Sequence, residues 1–128
     1  PALCDCGHRG TGGLGRKLGL MTPGYLYLPD LAKEADIPVN GILSRTLYQD
    51  EHVKVVIFGF AAGQELSAHT APFRAILHVL DGEARVKLGA DTVEAGPGAW
   101  IAMEPNLEHG IHANKPLRLL LTLMKKNR

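Results

Sequence analysis

The sequence predicts an all-β fold, an antiparallel barrel or sandwich preceded by a short helical turn. Three observations lead there. From Ile42 to Met124 the chain is a succession of short runs rich in β-branched and apolar residues: "ILSRTLY", "VKVVIFGF", "ELSAHT", "RAILHVL", "ARVKL", "TVEA", "AWIAM", "HGIHA" and "LRLLLTLM". The segments between them are turn chemistry, among them "QDE", "AAG", "DG", "GAD", "GPG", "EPN" and "ANKP". Helical character is confined to one short stretch ahead of them, and many short strands with one brief helix mean an all-β architecture.

Taken in order, residues 1–22 stand apart. "CDCGHRGTGGLGRKLG" holds six glycines and no apolar periodicity, so a flexible glycine-rich tail is expected there. Two sharper readings compete. Cys4, Cys6 and His8 could grip a soft metal, but three donors are an incomplete structural zinc set. Gly10, Gly12 and Gly15 spell G-x-G-x-x-G, but that phosphate loop needs a strand before it and a helix after it. Residues 23–128 are expected to form a single barrel domain. "YLYL" (Tyr25–Leu28) suggests a short strand, and "PDLAKEAD" one or two helical turns with Asp30 as a cap. Asp81-Gly82 between two apolar runs is a strong hairpin signal. Trp100, just after the turn at Gly98, is expected to fill the core or else to wall the pocket.

Composition excludes several classes. The 128 residues carry a formal net charge of +1, which gives no field for nucleic acid, and the few aromatic residues give no stacking platform. No apolar run approaches the roughly 20 residues of a membrane span, and no apolar leader is visible, so a cytoplasmic protein is expected. Cys4 and Cys6 are the only cysteines and lie too close for a disulfide framework.

The spacings from Gly63 onward are more specific. Five residues separate Gly63 from His69, Gly82 follows thirteen residues after His69, and His109 stands eleven residues after Gly98. This pattern, over about residues 41–124, resembles the cupin superfamily, small jelly-roll barrels built on two motifs. The first motif, a glycine, two histidines, a glutamate and a glycine, matches at Gly63, His69 and Gly82. Its second histidine falls on Ala71 and its glutamate on Ala75. The second motif matches at Gly98 and His109. The resemblance implies that metal-binding relatives place these four donors around one divalent ion such as Zn, Fe, Mn or Ni. Here only His69 and His109 remain, and first-row ions usually take three or four protein donors.

Strand alternation then sorts the neighbours. With Ala75 inward, Leu77 and Val79 are inward and His78 is outward; with His109 inward, Ile111 and Ala113 follow and His112 points away. Glu104 and Glu108 lie in the loop beside His109. The expected ligand pocket is therefore His69, Ala71, Ala75, Leu77 and His109, with His69 and His109 as candidate acid-base groups and as the candidate metal ligands. Three functions follow: a metal-poor or metal-free barrel that binds a small organic molecule, a divalent-metal enzyme of dioxygenase, isomerase or lyase type, and a non-catalytic sensing or structural module. "VKVVIFGF" and "LRLLLTLM" are apolar on nearly both faces, which predicts cover from the N-terminal strand expected at Tyr25–Leu28 or from a homodimer partner.

Overall fold

The computed structural model describes residues 24–125. The glycine-rich segment 1–22, with Cys4, Cys6, His8 and its glycine motif, lies outside the described residues. A 3-10 turn at Leu31–Glu34 precedes nine strands: β1 (Ile42–Gln49), β2 (Val53–Phe60), β3 (Glu65–His69), β4 (Arg74–Asp81), β5 (Ala84–Leu88), β6 (Asp91–Ala95), β7 (Trp100–Met103), β8 (His109–Ala113) and β9 (Leu117–Met124). Each strand-like run from Ile42 onward forms one of them. All pairings are antiparallel, in a five-stranded sheet of order β1-β2-β9-β4-β7 and a four-stranded sheet of order β3-β8-β5-β6.

The connections β2–β3, β4–β5 and β8–β9 are two to four residues long, and each crosses from one sheet to the other. Connections that short seat β2 opposite β3, β4 opposite β5 and β9 opposite β8. The core fills the space between. Phe60, Leu77, Val79, Val86, Leu117 and Leu119 are all at most 2 % exposed, and each such side chain contributes roughly 1.5–3 kcal/mol on leaving water. β4 shows the underlying alternation: Ala75, Leu77 and Val79 are buried, and Ile76 and His78 between them are half-exposed.

The second half of β2 is buried on both faces because the chain before β1 lies across the outside of the five-stranded sheet. Ile57 is 1 % exposed on that outer face. A Cβ at Gly59 would sit 2.0 Å from the Asp36 carbonyl oxygen, so backbone rests directly on backbone and only glycine fits. Arg118 Nε donates to the Ala35 carbonyl at 3.1 Å, and the Arg45 guanidinium pairs with Glu34. The cover therefore comes from residues around 34–37. Tyr25–Leu28 is not a strand; it joins no ladder among the described residues, and Tyr27 is 72 % exposed. Asp30 holds the position before the 3-10 turn, but its side chain makes no capping bond; Lys33 N–H donates to the Asp30 backbone oxygen instead.

Two further expectations are corrected. Asp81-Gly82 is not a hairpin tip, since β4 pairs with β7 and β9 while β5 pairs with β6 and β8. The dipeptide turns the chain from one sheet into the other. Asp-Gly encodes a left-handed turn, which serves a crossover as well as a hairpin. Trp100 does not fill the core. It pairs with His78 on the outer face of edge strand β7 and is 61 % exposed, because alternation turns Ile101 and Met103 inward. The β1–β2 turn is closed by Asp50, whose carboxylate accepts hydrogen bonds from the Tyr48 hydroxyl and from the His52 and Val53 N–H groups. These donors, the Tyr48 hydroxyl foremost, lower its pKa from 3.8 to about 2.

Candidate functional site

His69 ends β3 and His109 begins β8, and the two stand directly opposite each other in the ladder. Their ring centroids are 4.5 Å apart with planes tilted by 55°. Each ring is anchored in the same way. His69 Nδ1 lies 2.8 Å from the Ser67 carbonyl oxygen and His109 Nδ1 lies 2.8 Å from that of Leu107. A carbonyl can only accept, so Nδ1 carries the proton in both rings and Nε2 is left as the reactive nitrogen. His109 is 8 % exposed, whereas His69 is open to solvent, so the pair reaches from the barrel interior to its rim.

A bulge aims His69. Leu66 pairs with Ile111 and His69 with His109, so three steps along β3 match two along β8. Strict alternation from the core-packed Leu66 would turn His69 outward. The extra residue reverses the phase and brings His69 onto the same face as His109 and Leu88, which form one row across the four-stranded sheet. Gly110 makes room for this: a Cβ there would meet the Ala68 backbone at 3.1 Å and the Leu66 carbonyl oxygen at 3.2 Å.

The other residues expected at the site are distributed as follows. Ala75 is 2 % exposed and sits on the inward face of β4 at the same end of the barrel, paired with Met103 and Leu123. Ala71 lies half-buried in the β3–β4 connection, its carbonyl accepting from Asn106 N–H at 2.8 Å. Leu77 lies one inward step deeper, within the packed core. His78 is on the outer face beside Trp100, and His112 is on the outer face of the four-stranded sheet, its Nδ1 3.4 Å from Glu65. Glu108 turns outward to Lys87 at 3.2 Å, and Glu104 is exposed in the β7–β8 loop.

The donor set does not fit a metal held by protein side chains alone. His69 and His109 supply two nitrogens, alanines stand at the two remaining motif positions, and no group of three or more His, Cys, Asp or Glu side chains converges among the described residues. A further groove of about 390 Å³ runs over the outer face of the four-stranded sheet, bordered by Glu65, Arg85, Lys87, Thr92 and His112. The sequence did not single it out. Its charges are already matched, Arg85 with Glu94, Lys87 with Glu108 and His112 with Glu65. The sequence also gave Lys54 no place in the site, although it alone interrupts the apolar run of β2.

Two antiparallel sheets in this order, closed over an apolar core with a histidine pair at one mouth, define a small jelly-roll barrel of cupin type. The sequence profile of the cupin domain matches residues 56–123, and the chain belongs to that family. Its structure is similar to that of a conserved protein of unknown function from Streptococcus pyogenes, with 28% identity, TM-score 0.73, and coverage of 81% of this chain and 91% of that one. A cupin superfamily protein from Desulfitobacterium hafniense is similar at 23% identity and TM-score 0.72, covering 77% and 90%. A DMSP lyase from Ruegeria pomeroyi shares the fold at 18% identity and TM-score 0.61, covering 66% of this chain and 47% of that one. No curated protein matches the chain by sequence. Among the described residues, no helix is long and apolar enough to cross a membrane.

Proposed function

We propose that this cupin binds a small organic molecule against the His69–His109 pair without a complete protein-supplied metal site. The observation that carries this reading is the matched anchoring of two imidazoles 4.5 Å apart, each with Nδ1 spent on a backbone carbonyl. Two Nε2 atoms of fixed tautomer offer two acceptors to a hydroxyl or amine. With one ring protonated they offer a donor and an acceptor side by side, which suits a carbonyl or carboxylate and permits general acid-base catalysis worth typically 10²–10⁴ in rate. The same anchoring orients histidines that ligate metals. A divalent-metal enzyme is therefore the second reading, and it needs a further donor from water or ligand. A non-catalytic sensing module would use the same pocket.

The test is ligand retention. Protein purified without an affinity tag is analysed by native mass spectrometry and elemental analysis, beside His69→Ala and His109→Ala. A co-purifying organic mass that both variants release, with unchanged circular dichroism, is the expected result. Neither ring completes the core of Val, Ile, Leu and Phe, so the fold survives their loss. Stoichiometric transition metal lost in either variant transfers the assignment to the metal enzyme. An empty wild type whose histidine substitutions change nothing leaves the structural module.

We also propose a homodimer that buries the remaining outer face of the five-stranded sheet. Val53, Val55, Leu120, Thr122, Met124, Ile76 and Trp100 occupy outward positions there, outside the strip that residues 34–37 cover. A second copy related by a twofold axis presents the same apolar face, which makes it the self-complementary partner. Light scattering at micromolar concentration is expected to give twice 13.8 kDa for wild type and the monomer mass for Trp100→Glu. A monomeric wild type refutes the dimer.

A further inference from the structure

We infer that the barrel mouth takes small organic acids, with Lys54 holding the carboxylate opposite the histidine pair. This rests on the reading of His69 and His109 as a ligand site and names the class of ligand.

The strand register places Lys54. Ala75 faces the core, Leu123 stands directly opposite it in β9, and Lys54 stands directly opposite Leu123 in β2. Residues directly opposite in an antiparallel ladder share a face. Neither pairing carries an irregularity at this end, so Lys54 occupies an inward position in series with Val56, Phe58 and Phe60. The short β2–β3 connection seats β2 over β3. Lys54 lies one residue into β2, and His69 is the last residue of β3, so both belong to the same end of the barrel. The ammonium group is thus carried on the strand facing that of His69.

Lys54 has no counter-charge against it. Lys54 forms no ion pair among the described residues. The acids nearest Lys54 are occupied or turned away. Asp50 is engaged by Tyr48 and two backbone N–H groups, Glu51 sits against His52 at 3.4 Å, and Glu108 holds Lys87. Glu104 is exposed in the loop. The one acid at an inward strand position at this end is Asp91, opposite Leu88 on edge strand β6, exposed and three strands away from His69; the other positions beside Lys54 and the two histidines are Leu88, Ala75, Met103, Leu121 and Leu123. A cation half-withdrawn from water beside an apolar floor lacks its counter-charge. A ligand carboxylate supplies it, through a charge-assisted bond to Lys54. The apolar floor distinguishes an organic acid from an inorganic anion, because a short carbon skeleton covers the half-exposed Leu88, Leu121 and Leu123 while phosphate leaves them facing water. The remaining function of such an acid, a hydroxyl or keto group, then meets the two Nε2 atoms.

The test is a titration of full-length protein with pyruvate and lactate, with their uncharged amides pyruvamide and lactamide, and with inorganic phosphate. Imidazole resonances of His69 and His109 are followed by NMR in wild type, Lys54→Met and Lys54→Arg. Acids are expected to bind at least tenfold more tightly than the amides. Lys54→Met removes that preference without weakening the amides, and Lys54→Arg keeps it. If acids and amides bind alike, or if Lys54→Met leaves acid binding intact, the acid assignment falls and the small-molecule site stands. Phosphate binding as tight as that of the acids marks a bare anion site and also overturns the assignment. If no probe moves either histidine, both the assignment and the site reading fall. Circular dichroism checks each variant, and Lys54→Arg decides the matter should Lys54→Met not fold.

Discussion

Gly82→Ala is expected to destabilise the fold by about 2–6 kcal/mol, from left-handed backbone strain of roughly 1–3 kcal/mol and overpacking of roughly 1–3 kcal/mol. Gly82 has φ +92, and a Cβ there would stand 2.1 Å from the Pro116 carbonyl oxygen and 2.8 Å from Leu117 Cα. Both obstacles are backbone, held where β8 crosses to β9, so no side chain can swing aside. Two of the crossings between the sheets pass each other at this point. Moving either one drags Leu117, which is fully buried, out of the core. Typical domains have only about 5–15 kcal/mol in hand, so much of the variant should be unfolded or insoluble. The control is Gly96→Ala, where a Cβ meets nothing within 4 Å and φ is unremarkable. Urea unfolding followed by circular dichroism should show a large fall in midpoint for Gly82→Ala and almost none for Gly96→Ala. Equal midpoints for Gly82→Ala and wild type would refute the account of this crossover.

The second large effect is a gain. Ala71→His combined with Ala75→Glu is expected to create a four-donor metal centre with His69 and His109. Ala75 faces inward at the mouth, and Ala71 is fixed in the adjoining connection by the bond from Asn106 N–H. Both existing histidines already have Nδ1 satisfied, so their Nε2 atoms need no reorientation to ligate. Without metal the double variant should be less stable than wild type, since a carboxyl group replaces a methyl group that is 2 % exposed. With Zn²⁺ or Mn²⁺ it should recover, by about 4 kcal/mol at a thousandfold excess over Kd. Thermal melts with and without metal measure the gain, and His109→Ala in the same background should abolish it. No metal-dependent shift would show that the mouth is built differently from a metal-binding cupin.

The candidate site was legible in the sequence to different depths. His69 and His109 stood out through their distances from Gly63 and Gly98, and Ala71 and Ala75 through what a metal-binding cupin carries there. Lys54 was visible only as the polar break in "VKVVIFGF". Its inward phase depends on pairing with Leu123, sixty-nine residues away in the chain. The outer groove left no signal, because it exists where Gly110 on one strand lies among side chains contributed by three others.

What the sequence alone determined is local. It placed nine strands by their apolar runs and their turns, kept Ala75, Leu77 and Val79 on one face and His78 on the other, and assigned the cupin pattern. Side chains alternate with period two over a few residues, and that much is written in consecutive letters. Tertiary structure decided which strands pair and where the alternation slips. It sent Asp81-Gly82 across the sheets rather than around a hairpin. It laid Asp36 on Gly59 and left Trp100 on the outer face. It inserted one residue between Leu66 and His69, turning that imidazole from the solvent side to face His109. A period of two has no memory of which face is inside: a single bulge inverts everything beyond it, and only the partner strand reveals the bulge.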